Sequence, residues 1–284
     1  MEDGWRNIKL TVAYDGTAFH GFQRQPARVG RTVQGVLEER LGELTGERVS
    51  LLAAGRTDAG VHALGQVVNF KTRSRIPVGA WAKAMNAGLP RDVRVLAAEE
   101  VDHGFHARYD ARGKVYRYVI QTGPVPAVLW RRYAYYVPHP LDVAAMREGG
   151  RALVGRHDFR SFQAAGSAVK TTVRTVHRLE WTERSLGAGD LVPDGLGGNP
   201  TLGGCAGLET VEAGGFGGGQ LLVLTVEADG FLYNMVRIIV GLLVEVGLGR
   251  RPPADVVRVR EAVDRNAAAL TAPPHGLCLV AVKY

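Results

Sequence analysis

Apolar side chains in the first third of the chain switch between two spacings. A two-residue alternation predicts strands, and a three- or four-residue spacing predicts amphipathic helices. The predicted strands are residues 7–14, 49–54, 66–71 and 93–99, and the predicted helices are residues 32–44 and 77–87. This β-α-β-β-α-β order is that of a ferredoxin-like unit.

The rest of the chain repeats a mixed order of strands and helices. The predicted strands are residues 113–121, 133–137, 172–183, 221–227 and 279–282, and the predicted helices are residues 141–153, 234–246 and 254–264. We therefore expect an α+β protein with an N-terminal domain at 1–108 and a C-terminal α+β domain at 109–284.

A glycine-rich stretch interrupts the second domain at residues 185–219. It holds 13 of the 37 glycines, without a collagen-like period. No strand-turn-helix pattern surrounds it, so its glycine spacings do not indicate a nucleotide cradle. We interpret it as a flexible insertion between two strands.

Composition narrows the class of protein. With 284 residues, 46% of them hydrophobic and 22% charged, the chain is typical of soluble globular proteins. Its net charge of +7 favours a polyanionic partner such as nucleic acid.

Cysteine usage and hydropathy indicate the cellular compartment. Cys205 and Cys278 share no metal-binding or disulfide spacing, which favours a reducing cytoplasm. The N-terminal residues lack the apolar core of a signal peptide. The longest apolar run, 238–246, contains Glu245 and falls far short of the roughly 20 residues of a membrane span, so we expect a core helix and no membrane partner.

Candidate chemistry is densest at residues 52–70, LAAGRTDAGVHALGQVVNF. Two apolar runs flank a turn that presents Asp58, with Arg56 two residues before it and His62 four after it. An Asp between turn residues often only caps the turn. A guanidinium and an imidazole beside the carboxylate are more than a turn requires, so the turn is a candidate catalytic site.

Two further segments carry candidate residues. Tyr116 and Tyr118 alternate on one predicted strand beside Lys114, and are either core residues or a stacking platform for a nucleobase. Arg237 lies within an apolar helix pattern. It requires an anionic partner if buried, or it reaches solvent along its own stem.

The remaining patterns are weaker. Asp102, His103 and His106 do not match a standard zinc spacing. Ser161 and Ser167 lack the GxSxG elbow of a serine hydrolase.

Several segments together resemble one family. The segment GRTDAGVHALGQVVNF resembles the catalytic motif of the TruA-type tRNA pseudouridine synthases. YDGTAFHGFQRQ, GKVYRYVI, RHDFRSF, DGFLYNMVRIIVGLLVEVG and TAPPHGLCL resemble that family's other motifs in their order. The resemblance covers essentially the whole chain.

This resemblance implies a fold and an activity. The fold would be two ferredoxin-like (RRM-like) halves with mixed or antiparallel sheets flanking a basic catalytic cleft. The protein would be a homodimer that isomerises uridine to pseudouridine in the tRNA anticodon stem-loop, at positions 38, 39 and 40. It would use neither cofactor nor metal.

The resemblance also implies residue roles. Asp58 takes the place of the catalytic aspartate, Arg56 neighbours it, Tyr116 lies under the target base, and Arg237 pairs with the aspartate. The expected substrate-binding residues are Tyr116, Arg24, Gln23, Phe22, His62 and Lys114. The chain has Phe22 where the family commonly has Trp, and its insertion at 185–219 is longer than usual.

Two other functions remain open from the residues alone. One is a non-catalytic RNA-binding protein on an RRM-like sheet, which leaves Asp58 without a task. The other is a metal-dependent phosphodiesterase that uses Asp58, His62, His103 and His106, which would need more ligands on adjacent strand ends.

Overall fold

The computed structural model describes residues 4–166, 169–186 and 219–284. These residues form an α+β fold with ten strands and five α-helices. The strands are β1 (Arg6–Tyr14), β2 (Leu52–Ala53), β3 (His62–Thr72), β4 (Val93–Val101), β5 (Gly113–Thr122), β6 (Tyr135–Val137), β7 (Gly155–Asp158), β8 (Val173–Ser185), β9 (Gln220–Ala228) and β10 (Leu277–Lys283). The helices are α1 (Val33–Thr45), α2 (Trp81–Gly88), α3 (Val143–Arg151), α4 (Met235–Gly247) and α5 (Asp255–Ala262).

The chain divides into two compact units. The first contains the residues up to Lys114 together with Cys278–Tyr284, and the second is Val115–Leu277. The predicted domains, 1–108 and 109–284, differ from these units mainly at the C-terminus. The last seven residues belong to the first unit because β10 pairs in parallel with β3, Cys278 opposite His62.

The sheet of the first unit is built around β1 and β3. β1 is antiparallel to β3 on one side and to β4 on the other. β2 is antiparallel to β3, whereas β10 is parallel to it, so the sheet is mixed.

The two helices of this unit form for local reasons. The Thr32 hydroxyl caps α1 by accepting the Gly35 N–H at 3.2 Å, and Gly46 ends the helix in the left-handed region at φ 70°. Leu37 and Leu41 face the core at helical spacing. The ring of Trp81, at the start of α2, meets that of Phe70 edge-on at a centroid distance of 5.4 Å.

The second unit carries the longer helical core. β8 pairs antiparallel with β7 and β9, β9 neighbours β5, and β6 is parallel to β5. Ten of the 13 residues of α4 are buried, so the apolar run around 238–246 is a core helix, as expected. No helix in the described part of the chain has the length and apolar content that a membrane crossing requires.

Most predicted elements are present, with shifted ends. The strand expected at 49–54 shortens to Leu52–Ala53, because the buried Glu38 carboxylate accepts the Leu51 N–H at 3.1 Å in place of a strand partner. The helix expected from residue 77 begins as a 3₁₀ turn and becomes α-helical at Trp81. Most of the insertion predicted at 185–219 lies outside the described residues.

Candidate active site

The turn between β2 and β3 presents Asp58. Asp58 is half-buried and Arg56 is exposed. The Asp58 carbonyl accepts the Val61 N–H at 3.1 Å, and the Thr57 carbonyl accepts the Phe22 N–H at 3.0 Å. Gly60 provides the left-handed conformation that closes the turn, at φ 79°. The Asp58 carboxylate therefore extends from a backbone that hydrogen bonds hold at residue 57 and at residue 58.

Two buried side chains of the neighbouring strands, Tyr14 of β1 and Gln66 of β3, bind this turn. The Tyr14 hydroxyl lies 2.7 Å from the Thr57 hydroxyl, and the Gln66 amide N–H donates to the Gly55 carbonyl at 2.9 Å. Burial raises the pKa of Tyr14 well above its usual range, so its phenol stays protonated. We name these three side chains, Tyr14, Thr57 and Gln66, the turn clamp.

Close backbone approach accounts for two glycines of the first loop. A Cβ on Gly21 would lie 3.0 Å from the Thr57 carbonyl oxygen, and its φ of 92° disfavours other residues. A Cβ on Gly16 would overlap the Val61 carbonyl. The loop after β1 thus packs directly on the Asp58 turn.

His62, the first residue of β3, binds the same loop. It is 4% exposed, and its Nδ1 lies 3.0 Å from the Gly16 N and 3.2 Å from an Asp15 carboxylate oxygen. A backbone N–H can only donate, so Nδ1 is the acceptor in the bond with Gly16. Asp15 also accepts from the Thr17 N–H and hydroxyl, at 2.9 and 2.6 Å.

The predicted substrate-binding residues of the first loop divide by burial. Phe22 is 2% exposed, with its ring 6.2 Å from that of Tyr14. Gln23 and Arg24 are exposed. Arg24 Nη1 lies 3.1 Å from the carboxylate of Glu38, whose side chain is buried. Only the polar pair faces solvent.

Lys114 lies against the turn from the start of β5. A Cβ on Gly55 would lie 2.8 Å from the Lys114 ammonium nitrogen. The Lys114 ammonium group therefore lies beside the backbone of Gly55, which is three residues before Asp58 in the turn.

The second unit holds the other two candidates. Tyr116, on β5, is 7% exposed, and its ring meets that of Phe231 edge-on at 5.0 Å. Arg237, in the first turn of α4, donates from Nε to the Ala272 carbonyl at 2.8 Å and from Nη1 to the Asn234 amide oxygen at 2.7 Å. These bonds fix the plane of the guanidinium.

The structure thus gathers Asp58, Arg56, Phe22, His62 and Lys114 around one turn of the first unit, and it places Tyr116 and Arg237 in the second. Sequence reasoning did not identify the turn clamp or Glu38. Gln66 did leave a signal, since it is a polar residue inside an apolar strand pattern, and such residues are buried only with partners.

The metal-ligand pattern considered for Asp102, His103 and His106 finds no counterpart. Within 4–166, 169–186 and 219–284, no three His, Cys, Asp or Glu side chains are grouped so as to hold a metal ion. His106 Nδ1 instead faces backbone N–H groups of Arg108 and Tyr109, at 3.1 and 3.4 Å. The phosphodiesterase reading gains no support from this part of the chain.

Comparison with known proteins matches segments in both units of the chain. A family model described as tRNA pseudouridine synthase matches residues 10–110 and 151–284, which include the Asp58 turn and the start of α4. The chain is 44% identical over 279 residues to tRNA pseudouridine synthase A of Bacillus velezensis, covering 98% of each chain. It is 44% identical over 277 residues to that of Moorella thermoacetica, covering 98% of this chain and 99% of the relative. It is 42% identical over 279 residues to that of Bacillus subtilis, covering 98% of each. With its matched segments spanning both units, the chain belongs to the tRNA pseudouridine synthase family.

Proposed function

We propose that this protein isomerises uridine to pseudouridine in tRNA, at positions 38, 39 and 40 of the anticodon stem-loop. The observation that carries the proposal is the full-length likeness to proteins named tRNA pseudouridine synthase A. It also gives Asp58 a task, which a non-catalytic RNA-binding protein does not.

The reaction balances without a redox step. The N1–C1′ bond breaks, the uracil rotates, and a C5–C1′ bond forms while C5 loses a proton and N1 gains one. No electrons enter or leave overall, so the reaction needs no redox cofactor. The chain must supply a carboxylate, a way to orient the base and a proton acceptor.

Asp58 supplies the carboxylate in this proposal. An aspartate with an ordinary pKa of about 3.9 is ionised at neutral pH and can attack or stabilise an electron-poor carbon. Attack at the ribose C1′, attack at the base C6, and proton abstraction from the ribose towards a glycal all fit one Asp. The turn clamp supports each route, because it fixes the backbone from which the carboxylate extends.

Tyr116 and Arg237 complete the proposed chemistry. Tyr116 stacks on the target base, and its hydroxyl helps to remove the C5 proton after reattachment. Arg237 orients the Asp58 carboxylate and keeps it ionised. The two bonds that fix the Arg237 guanidinium support an orienting role.

The substrate contacts follow the burial of the side chains. Exposed Gln23, Arg24 and Arg56 contact RNA phosphates and riboses, and Lys114 adds a cation beside the turn. Phe22 and His62, which we also predicted to bind substrate, are almost fully buried, so we propose that they act on the substrate through the shape of the turn. Gripping the phosphates offsets the few kcal/mol that extruding a stacked uridine costs.

The proposal has three further parts. Both halves are ferredoxin-like, which the β-α-β-β-α-β order and the β4-β1-β3-β2 sheet order of the first unit support for that half. The protein acts as a homodimer. It works in the cytoplasm, which suits a tRNA substrate and a chain with two cysteines.

A single assay tests the function. Purified protein is incubated with unmodified tRNA transcript, with and without EDTA, and pseudouridine is mapped at each position. We expect product at positions 38 to 40 in both conditions, and a loss of at least about 10⁴-fold in kcat for Asp58→Asn, the scale seen when a catalytic side chain is removed.

Glu99→Gln is the matched control. Glu99 is an exposed carboxylate of the same unit, 2.9 Å from the Lys9 ammonium, and its loss leaves turnover unchanged. Full turnover by Asp58→Asn would refute the proposal. RNA cleavage abolished by EDTA would instead favour the phosphodiesterase.

A further inference from the structure

The loop between β4 and β5, residues 102–112, holds one large side chain out into solvent. Tyr109 is 76% exposed. Isolated exposed apolar residues are common and need no explanation on their own. What distinguishes Tyr109 is the amount of buried polar structure that holds its loop in place.

Three side chains of the first unit bind the backbone of this loop. Asn69 accepts the Ala107 N–H at 2.9 Å, and Asn7 donates to the Asp102 and Phe105 carbonyls at 2.9 and 3.0 Å. The Tyr284 hydroxyl donates to the Ala107 carbonyl at 2.8 Å. Asn7 and Asn69 are each 1% exposed, and burying an amide is costly unless all its bonds are made. The loop is therefore rigidly held.

Contacts within the loop orient the Tyr109 ring. The His106 ring lies 4.2 Å from it at an interplanar angle of 40°, while His106 Nδ1 accepts the Arg108 N–H at 3.1 Å. The Asp110 carboxylate accepts the His106 N–H at 2.8 Å. The ring thus has a neighbour on one side and solvent on the rest, at little further cost in conformational entropy.

The loop exposes charged side chains of both signs, but they differ in their contacts. Asp102 and Asp110 each turn a carboxylate oxygen back to a backbone N–H of the loop, at 2.8 Å. Arg108 and Arg112 are exposed, and the Arg108 guanidinium carbon lies 5.9 Å from the centre of the Tyr109 ring. An aromatic ring beside outward-facing guanidinium groups is the combination that binds an unpaired base and its phosphates.

The loop also lies within reach of the Asp58 turn. Lys114, whose ammonium sits beside Gly55, is five residues after Tyr109. Five extended residues span at most about 18 Å, which is the length of a few nucleotides. An RNA that places a uridine at Asp58 is therefore long enough to reach Tyr109.

We propose that loop 102–112 is an RNA-binding surface, on which Tyr109 stacks against an unpaired base of the tRNA outside the target uridine while Arg108 and Arg112 bind neighbouring phosphates. This inference rests on the proposed tRNA substrate. It assigns the surface to RNA and not to a second copy of the chain, because each loop carboxylate already accepts a backbone N–H of the loop, whereas an exposed ring flanked by two exposed guanidinium groups matches a base and its phosphates.

The test measures binding apart from turnover. Asp58→Asn protein, which does not convert the RNA, is titrated with fluorescently labelled, unmodified tRNA transcript. Adding Tyr109→Ala weakens binding by roughly 5- to 100-fold, the range for loss of one base–aromatic stack. Tyr109→Phe, which keeps the ring, restores most of the affinity. Arg108→Gln lowers the slope of log Kd against log salt by roughly 0.7 to 0.9, the effect of one lost phosphate contact.

Leu96→Ala is the matched control, because Leu96 is an exposed apolar residue of the same unit at 56% exposure, on β4. Equal affinities of the Tyr109→Ala and Leu96→Ala proteins would overturn the inference. So would a Tyr109→Ala protein that binds tRNA normally but changes its sedimentation, since the loop would then be a protein interface. If the parent protein does not bind tRNA at all, the proposed function fails instead.

Discussion

The Asp58 turn and the start of α4 hold their polar residues by different means. Besides its own Val61–Asp58 backbone bond, the turn is held by single hydrogen bonds from buried side chains of β1 and β3. Arg237 extends from a helix whose other faces are almost entirely buried. Asp58 is thus positioned by a network of hydrogen bonds, and Arg237 by a helix that is packed in the core.

This difference predicts how each region responds to change. Removing one member of a network leaves a neighbouring polar group unsatisfied and lets the backbone move. Removing the tip of a helical side chain leaves the helix where it is. In the turn we therefore expect loss of stability and of turnover together, and at α4 a loss of turnover with little loss of stability.

Arg237→Lys is expected to give the largest effect. The Arg237 guanidinium donates through Nε to Ala272 and through Nη1 to Asn234, two directions set by one rigid plane. One ammonium group cannot reproduce that fixed plane. We expect kcat to fall about 10²-fold, as when one oriented donor to a reacting group is lost, with the free energy of unfolding changed by about 1 kcal/mol or less.

Arg251→Lys is the comparison variant for this prediction. Arg251 lies in the same unit and binds the Glu245 carboxylate at 2.7 Å, away from the site residues. Turnover is measured under single-turnover conditions and unfolding by urea titration. If Arg237→Lys keeps normal turnover, or loses stability in proportion to activity, then the Asp58 turn and α4 do not differ in the way proposed above.

Sequence patterns predicted the elements that depend on neighbouring residues. The apolar spacing and capping threonine of α1 lie within one segment, and the structure confirms that helix with only a one-residue shift. The location of Asp58 in a turn between two strands is equally local. The family resemblance, carried by contiguous motifs, is also confirmed.

Contacts between distant segments were not predictable in this way. The Tyr14 and Thr57 hydroxyls meet across 43 residues, and Arg237 meets the Ala272 carbonyl across 35. Nothing near Leu51 in the sequence shows that its N–H bonds to Glu38, which is what shortens β2. These bonds depend on the register of whole strands, which a one-residue slip would invert.

Tyr14→Phe tests the network side of the comparison with an intermediate effect. The change removes only the hydroxyl 2.7 Å from Thr57, and leaves a buried hydroxyl without that partner. We expect the free energy of unfolding to fall by about 1 to 3 kcal/mol. Because the turn is then less well positioned, kcat falls about tenfold while KM for tRNA stays the same.

Tyr136→Phe separates positioning from stability in this experiment. Its hydroxyl donates to the Gly123 carbonyl at 2.8 Å in the second unit, so the chemical change is the same. We expect it to lose stability without losing kcat. A Tyr14→Phe protein that behaves like Tyr136→Phe would mean that the turn clamp only stabilises the fold.

The smallest expected effect is a pH dependence of stability that comes from the same hydroxyl. Burial raises the pKa of Tyr14 above the value near 10 that the unfolded chain has, so above pH 10 the unfolded state loses a proton that the folded state keeps. Stability from this residue is therefore complete below pH 10 and declines as pH rises, with a slope of up to about 1.4 kcal/mol per pH unit. Burial also raises the pKa of Tyr118, which adds a decline in stability that the parent protein and Tyr14→Phe share.

The stability gap between the parent protein and Tyr14→Phe should consequently narrow by about 1 kcal/mol between pH 9 and 11 in urea titrations. A gap that stays constant over this range would show that the Tyr14 hydroxyl is reached by solvent, and the turn would then be held less firmly than the bonds around it indicate.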